Sequence, residues 1–195
     1  MRCVVATANP DKAAEIVAIM GEAIDLHLLA RPLGVPDVEE TGETLLENAR
    51  LKAWALFEAT GDLTIADDTG LLVDALNGAP GVRSARFAGE NASYQDNVAR
   101  LLKDMTGKRN REARFETVAI AILPGGQEVI ATGTVYGVIT TSERGDRGFG
   151  YDPVFEPLES DGLTFAQMTA VEKSEISHRG RAFRELAALI AQAVS

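Results

Sequence analysis

RFETVAIAIL at residues 114–123 and EVIATGTVYGVIT at residues 128–140 are two long runs rich in β-branched residues, separated by Pro124-Gly125-Gly126. Such residues suit a pleated sheet surface, and the Pro-Gly-Gly joint turns the chain back on itself, so the pair predicts a long hairpin. A hairpin of this length in mid-chain excludes a uniform parallel sheet. Strands and helices alternate before it. Residues 2–7 (RCVVAT) predict a buried strand, and Asn9-Pro10-Asp11-Lys12 the turn into a helix, with Asn9 as N-cap and Pro10 at the first helical position. Ala13, Ile16, Val17 and Met20 supply that helix's apolar stripe. Residues 24–28 (IDLHL) alternate with period two, predicting a half-buried strand with His27 outward. A Pro/Gly loop over residues 31–36 leads to Val38-Glu39-Glu40-Thr41-Gly42. A helix follows over residues 44–59, with Leu45, Ala49, Lys52, Ala53 and Leu56 along one side. Residues 63–66 predict a short buried strand, residues 77–81 a loop, and Ser93-Tyr94-Gln95-Asp96 a helix start with a capping-box signature. Residues 145–153 form a glycine-punctuated loop, and a last helix from 177 or 178 to 194 buries Phe183, Leu186, Leu189 and Ile190. The reading is mixed α/β, and two lobes around a cleft suit it.

At 195 residues the chain is long enough for one substantial core or two small lobes that share one. No apolar run approaches a membrane span, and the first residues lead into a strand rather than a signal peptide. The single cysteine, Cys3, excludes an internal disulfide and sits in an apolar run, as a small core residue does. These features predict a cytoplasmic protein with no membrane partner. A net charge of −10 argues against a broad footprint for nucleic acid. A small polyanion can still bind where Lys, Arg, backbone N–H groups and a metal are gathered locally.

Asp67 and Asp68 close the apolar run 63–66 and are followed at once by Thr69-Gly70. Neighbouring carboxylates raise the cost of ionising both, so the pair is stable mainly where a cation or a shared proton compensates. The other reading is a strand-to-turn junction that serves only the backbone. The turn Thr7-Ala8-Asn9-Pro10-Asp11-Lys12 joins a strand to a helix N-terminus, which suits phosphate, although it reads equally as a well-capped junction. It is not a Walker loop. Glu39 and Glu40 precede a helix, where they either complement its dipole or one of them joins Asp67 or Asp68 as an oxygen ligand of Mg²⁺. The two histidines, His27 and His178, lie far apart in sequence, so nothing resembles a zinc site. In Arg147-Gly148-Phe149-Gly150-Tyr151-Asp152-Pro153, glycines flank aromatics that can stack on a base, and Asp152 can accept from a base edge; a tight loop with core-anchoring aromatics is the alternative. Ser177 as N-cap would place His178 and Arg179 in a helix's first turn, where cations oppose the dipole unless an anionic or base-like ligand relieves them.

Taken together, Thr-Ala-Asn-x-x-Lys, Glu-Glu-Thr-Gly, Ala-Asp-Asp-Thr-Gly, Gly-Phe-Gly-Tyr-Asp-Pro and Glu-Lys-Ser-x-Ile-Ser-His-Arg-Gly resemble the inosine triphosphate pyrophosphatase (Ham1-like, non-canonical purine NTP pyrophosphatase) family. Gly78-Ala79-Pro80-Gly81 and Ser84-Ala85-Arg86-Phe87 also fit, and the likeness runs from Val4 to about Leu189 in the family's order. The resemblance implies a single domain over residues 1–195 with an elongated mixed sheet flanked by helices, two lobes around the active-site cleft, and a homodimer. It implies a Mg²⁺-dependent hydrolase that converts ITP, dITP and XTP to the monophosphate and pyrophosphate. Thr7 to Lys12 (Thr7, Ala8, Asn9, Pro10, Asp11, Lys12) fall in its triphosphate turn. Glu39 matches a metal ligand, Asp68 the metal-bound general base and Thr69 a substrate contact, with Asp67 in support. Phe149, Gly150, Tyr151 and Asp152 match the base loop, and Lys173, His178 and Arg179 complete the nucleotide site. The chain departs from the family pattern at Ala8, Thr69 and Arg147, where Gly, Ser and Gly are commoner. A related pyrophosphatase acting on a modified or pyrimidine nucleotide, and a nucleotide-binding regulator that does not hydrolyse, are the rival readings.

Overall fold

A computed structural model describes residues 2–30, 32, 35 and 38–194. Arg31, Leu33, Gly34 and Pro36 of the expected Pro/Gly loop lie outside the described residues. The strands are β1 (Arg2–Val5), β2 (His27–Ala30), β3 (Leu63–Val73), β4 (Pro80–Gly81), β5 (Glu112–Ile122), β6 (Glu128–Ile139) and β7 (Phe155–Pro157). The helices are α1 (Pro10–Ala23), α2 (Leu45–Thr60), α3 (Tyr94–Asp104), α4 (Ala170–Ile176) and α5 (His178–Ala193). One mixed sheet runs β2-β1-β3-β5-β6-β7, with β4 paired to β3. β1 is parallel to β2 and β3, whereas β6 and β7 are antiparallel. The hairpin that excluded a uniform parallel sheet is present, closed by Leu123 N–H to Gln127 O and Gly126 N–H to Leu123 O.

The chain divides into two compact units, the first comprising Met1–Asp68, Thr117–Gly133 and His178–Ser195, the second Thr69–Glu116 and Thr134–Ser177. In the first unit, strand alternation sends successive β1 side chains to opposite faces. Cys3 and Val5 join Leu63, Ile65, Ile16, Met20, Phe183 and Leu186 in one apolar cluster. Val4 and Ala6 join Ala66, Ala49, Ala53 and Leu56 in another. Helices α1 and α5 therefore cover one face and α2 the other, and each fully buried Leu, Ile or Phe contributes about 1.5–3 kcal/mol. Cys3 is a core residue as expected, and burial pushes its thiol up to about 12. The second unit has its own core, in which Phe155 stacks on Phe165 at 5.4 Å and meets Phe115 edge-on at 4.7 Å.

Several expected elements differ. The strand expected to stop at Ala66 continues to Val73, so Asp67 and Asp68 lie within a strand rather than at a turn. The two carboxylates are matched by cations from neighbouring helices, so the backbone stays extended through them. The strand expected over residues 24–28 begins only at His27, because Ile24 ends α1 by donating its N–H to Met20 O. His27 is exposed, as its alternation implied. In α1 the buried positions are Ile16, Ile19 and Met20, and Val17 is 47% exposed. A separate helix, α4, went unread, although Thr169 and Glu172 form a capping box at its start. Ser177 ends α4 with its N–H on Lys173 O, and α5 begins directly after it.

The only tryptophan, Trp54, donates Nε1–H to Glu128 Oε1 at 2.7 Å, and Arg50 grips both oxygens of the same carboxylate. Arg50 first, and Trp54 second, hold Glu128 below the usual carboxylate range. A lowered folded-state pKa contributes stability that is present above the unfolded value and lost as pH falls through the folded value. The change in Trp54 emission on acidification is therefore expected to have its midpoint below the ordinary glutamate value of 4.5. An emission midpoint at or above that value in a pH titration would contradict this linkage.

Candidate active site

Side chains alternate across β3, so its two aspartates serve different clusters. Asp67 shares the face of Leu63 and Ile65. Its Oδ2 meets Lys12 Nζ at 3.3 Å and Arg179 Nη2 at 3.6 Å, and its side chain is 1% exposed. Arg179 is also gripped by Glu15 Oε2 at 2.6 Å. The cations at the starts of α1 and α5 thus find their counter-charge in two acids, from β3 and from α1. Asp68 points to the face of α2. Its Oδ1 accepts from Lys52 Nζ at 3.2 Å and its Oδ2 from Asn48 Nδ2 at 3.3 Å. Lys52 Nζ also donates to Glu40 Oε1 at 2.8 Å.

Burial pushes the Asp68 carboxyl above its ordinary range, although the Lys52 and Lys12 ammonium groups pull the other way. Burial works to lower the pKa of Lys52, but Asp68, Asp67 and Glu40 outweigh it and leave the ammonium above its ordinary value. Asn48 ties this cluster to the segment before α2, since its Oδ1 accepts from Gly42 N–H at 2.8 Å. A Cβ at Gly42 would come within 2.7 Å of that oxygen, so the close approach requires glycine.

Of the two glutamates in this segment, Glu40 shares Lys52 with Asp68, whereas Glu39 is exposed. Among the described residues no group of three or more His, Cys, Asp or Glu converges to hold a metal ion. Two carboxylates do converge on one point of positive charge, the Lys52 ammonium. Hard oxygen donors around a cation are the donor set Mg²⁺ takes from a protein when substrate phosphates and water supply the rest. Asp68 and Glu40 fit that ion.

In the turn before α1, Thr7 Oγ1 accepts from Asn9 N–H, and Asn9 Oδ1 accepts from the N–H groups of Asp11 and Lys12 at 3.0 and 3.2 Å. Asn9 is the N-cap and Pro10 the first helical residue, as read from the sequence, while Ala8 and Asp11 are exposed.

The second unit holds the Phe149 loop. Lys173 Nζ, only 5% exposed as a residue, donates to Asp152 Oδ2 at 2.6 Å and lies 4.7 Å from the Phe149 ring centroid and 5.5 Å from that of Phe165. The same Asp152 oxygen accepts from Phe149 N–H at 2.8 Å. Gly148 has φ +70°, and a Cβ there would strike the Asp152 carboxylate, so glycine serves both conformation and space. Gly150 is half-buried beside Phe149. Tyr151 is buried, donates its hydroxyl to Ser84 O at 2.9 Å, and has its phenol pKa pushed up by burial. Thr69 is half-buried, and His178 is buried at the start of α5.

Sequence reading missed the parts that Lys52, Asn48 and Glu15 play in these clusters. A lysine on the otherwise apolar side of α2 was a signal for the first. Asn48 and Glu15 carried none, because their partners lie on other elements.

The protein is thus of the mixed α/β class, with an inner strand that directs one buried carboxylate to each face, each met by a lysine. The chain belongs to the Ham1 family, whose match covers residues 3–189. It is similar to the dITP/XTP pyrophosphatase of Streptomyces coelicolor (45% identity over 97% of this chain and 96% of the relative). It is likewise similar to the dITP/XTP pyrophosphatase of a Thermoanaerobacter species (46% identity over 95% of this chain and 94% of the relative). Among solved structures, the Ham1 protein of Staphylococcus aureus superposes with a TM-score of 0.87 at 38% identity, covering 99% of this chain and 100% of that one. A HAM1 protein from Coxiella burnetii gives 0.88 at 35% identity, covering 98% and 99%.

Proposed function

We propose that this protein hydrolyses the non-canonical purine nucleoside triphosphates dITP, XTP and ITP to the nucleoside monophosphate and pyrophosphate. The observation that carries this reading is the buried Asp68 carboxylate, held by Asn48 and sharing the Lys52 ammonium with Glu40. The names of the relatives supply the substrate class.

In the reaction, water attacks the α-phosphorus, the bond from that phosphorus to the bridging oxygen breaks, and pyrophosphate leaves. Asp68 accepts the proton of the attacking water; a carboxyl raised by burial is a better base at neutral pH than an ordinary one. Asp68 with Glu40, and Glu39 by the family resemblance, would hold Mg²⁺, which supplies charge neutralisation at the phosphate oxygens. Lys12 and the Thr7–Asn9 turn bind the phosphate tail, and Asp67 keeps Lys12 and Arg179 in place. Phe149 stacks on the base. Lys173 is a pure donor, so it favours the 6-oxo acceptor and disfavours the 6-amino group of adenine. Asp152 orients Lys173. By the family resemblance, Thr69, Gly150, Tyr151, His178 and Arg179 are nucleotide-binding residues. The family resemblance implies a homodimer, the single free cysteine fits a cytoplasmic setting, and no helix among the described residues is long and apolar enough to cross a membrane.

Pyrophosphate release from dITP, XTP, ITP, ATP, GTP and dUTP, with Mg²⁺ and with chelator, tests the reading. The expected result is turnover of the first three, with kcat/KM on the order of 10²-fold or more above ATP, and none with chelator. Preference for dUTP or ATP would refute it, and no release from any nucleotide would favour a regulator.

A further inference from the structure

The Phe149 loop has an aromatic neighbour that the phosphate chemistry does not use. Tyr94 is the first residue of α3, fixed by the Ser93–Asp96 capping box, in which Ser93 Oγ accepts from Asp96 N–H at 3.1 Å and Ser93 N–H donates to Asp96 Oδ2 at 2.9 Å. Its side chain belongs to a residue 42% exposed, yet its ring lies 5.9 Å from that of Phe149, centroid to centroid, with the planes tilted by 39°. The helix cap therefore holds a partly exposed tyrosine beside a ring already steadied by the Lys173 ammonium.

One benzene ring covers one heterocyclic ring. A purine is two fused rings, and two side-chain rings about 6 Å apart make contact along its length, whereas a pyrimidine needs only the nearer ring. Tyrosine suits such a surface because it offers a large face with two rotatable side-chain angles to order. We propose that Tyr94 extends Phe149 into a two-ring aromatic surface that selects a purine base over a pyrimidine. The inference rests on reading the Phe149 loop as the base site, and it assigns Tyr94 as a specificity-determining residue.

The test is equilibrium binding of IMP and CMP to the full chain by calorimetry, which does not depend on hydrolysis. Tyr94→Ala is expected to weaken IMP roughly fivefold or more and CMP less than about twofold. Tyr94→Phe is expected to restore IMP binding, since the ring and not the hydroxyl carries the effect. With dITP as substrate, the Tyr94→Ala loss falls on KM rather than kcat. Parallel weakening of IMP and CMP, or unchanged IMP binding, overturns the proposal. Selective loss of IMP binding in a protein that releases no pyrophosphate supports Tyr94 and refutes the hydrolase reading. Failure of the parent chain to bind IMP refutes the Tyr94 proposal directly.

Discussion

Asp68→Asn is expected to lower pyrophosphate release from dITP by roughly 10²–10⁴-fold, the contribution of a positioned general base. The amide keeps the shape of the side chain and removes its negative charge, and with that charge both its ability to take a proton and its hold on a metal ion. Folding should survive the change. Burial already works against the charged form of Asp68, so a neutral group in its place relieves that cost, and Lys52 keeps Glu40 as partner at 2.8 Å. The thermal midpoint should move by less than about 4 °C, corresponding to less than about 1 kcal/mol in a chain of this size. IMP binding should persist, because the base loop contains none of these groups. Equal turnover by parent and variant would remove Asp68 as base. A large drop in midpoint would recast it as a structural residue.

Asp67→Ala is expected to do the opposite, destabilising the protein by about 3 kcal/mol through loss of a buried counter-charge. The carboxylate is 1% exposed and one of its oxygens serves both Lys12 and Arg179. Its removal leaves two cations facing each other across the space it filled. The expected value sits at the lower end of the range for breaking a buried pair, because Arg179 retains Glu15 at 2.6 Å. Urea unfolding at neutral pH measures the effect. A loss below about 1 kcal/mol, the range of exposed pairs, would show that the Asp67 cluster is effectively solvated. The two variants together separate neighbouring residues of identical type into a chemical and a structural role.

Much of this site was legible in the sequence because its parts are local. Asn9 and Pro10 announce the start of α1 through backbone requirements met within four residues. The α2 stripe and the hairpin are periodicities that need no partner to be seen. The acid pair announced a need for positive charge through electrostatics between adjacent groups. What could not be read was where the positive charge comes from. Lys12 lies 55 positions before Asp67, and Arg179 112 positions after it. Only the packing of α1 and α5 on one face of the sheet brings them together.

The same division explains the error at residues 67–70. Local propensity favours a turn at Asp-Asp-Thr-Gly, and the strand persists because the sheet pairs its start with β1 and the helices neutralise its charges. Local sequence alone is enough for the mixed α/β class, for the starts of α1, α2, α3 and α5, and for an acid pair in need of a cation. The tertiary structure alone decided that the pair is split across a strand. Asp67 is locked against Lys12 and Arg179 on the α1–α5 side, and Asp68 is set with Lys52, Asn48 and Glu40 on the α2 side. The physical reason is the period of two in an extended chain: adjacent residues share a charge problem in sequence but face different solutions in space.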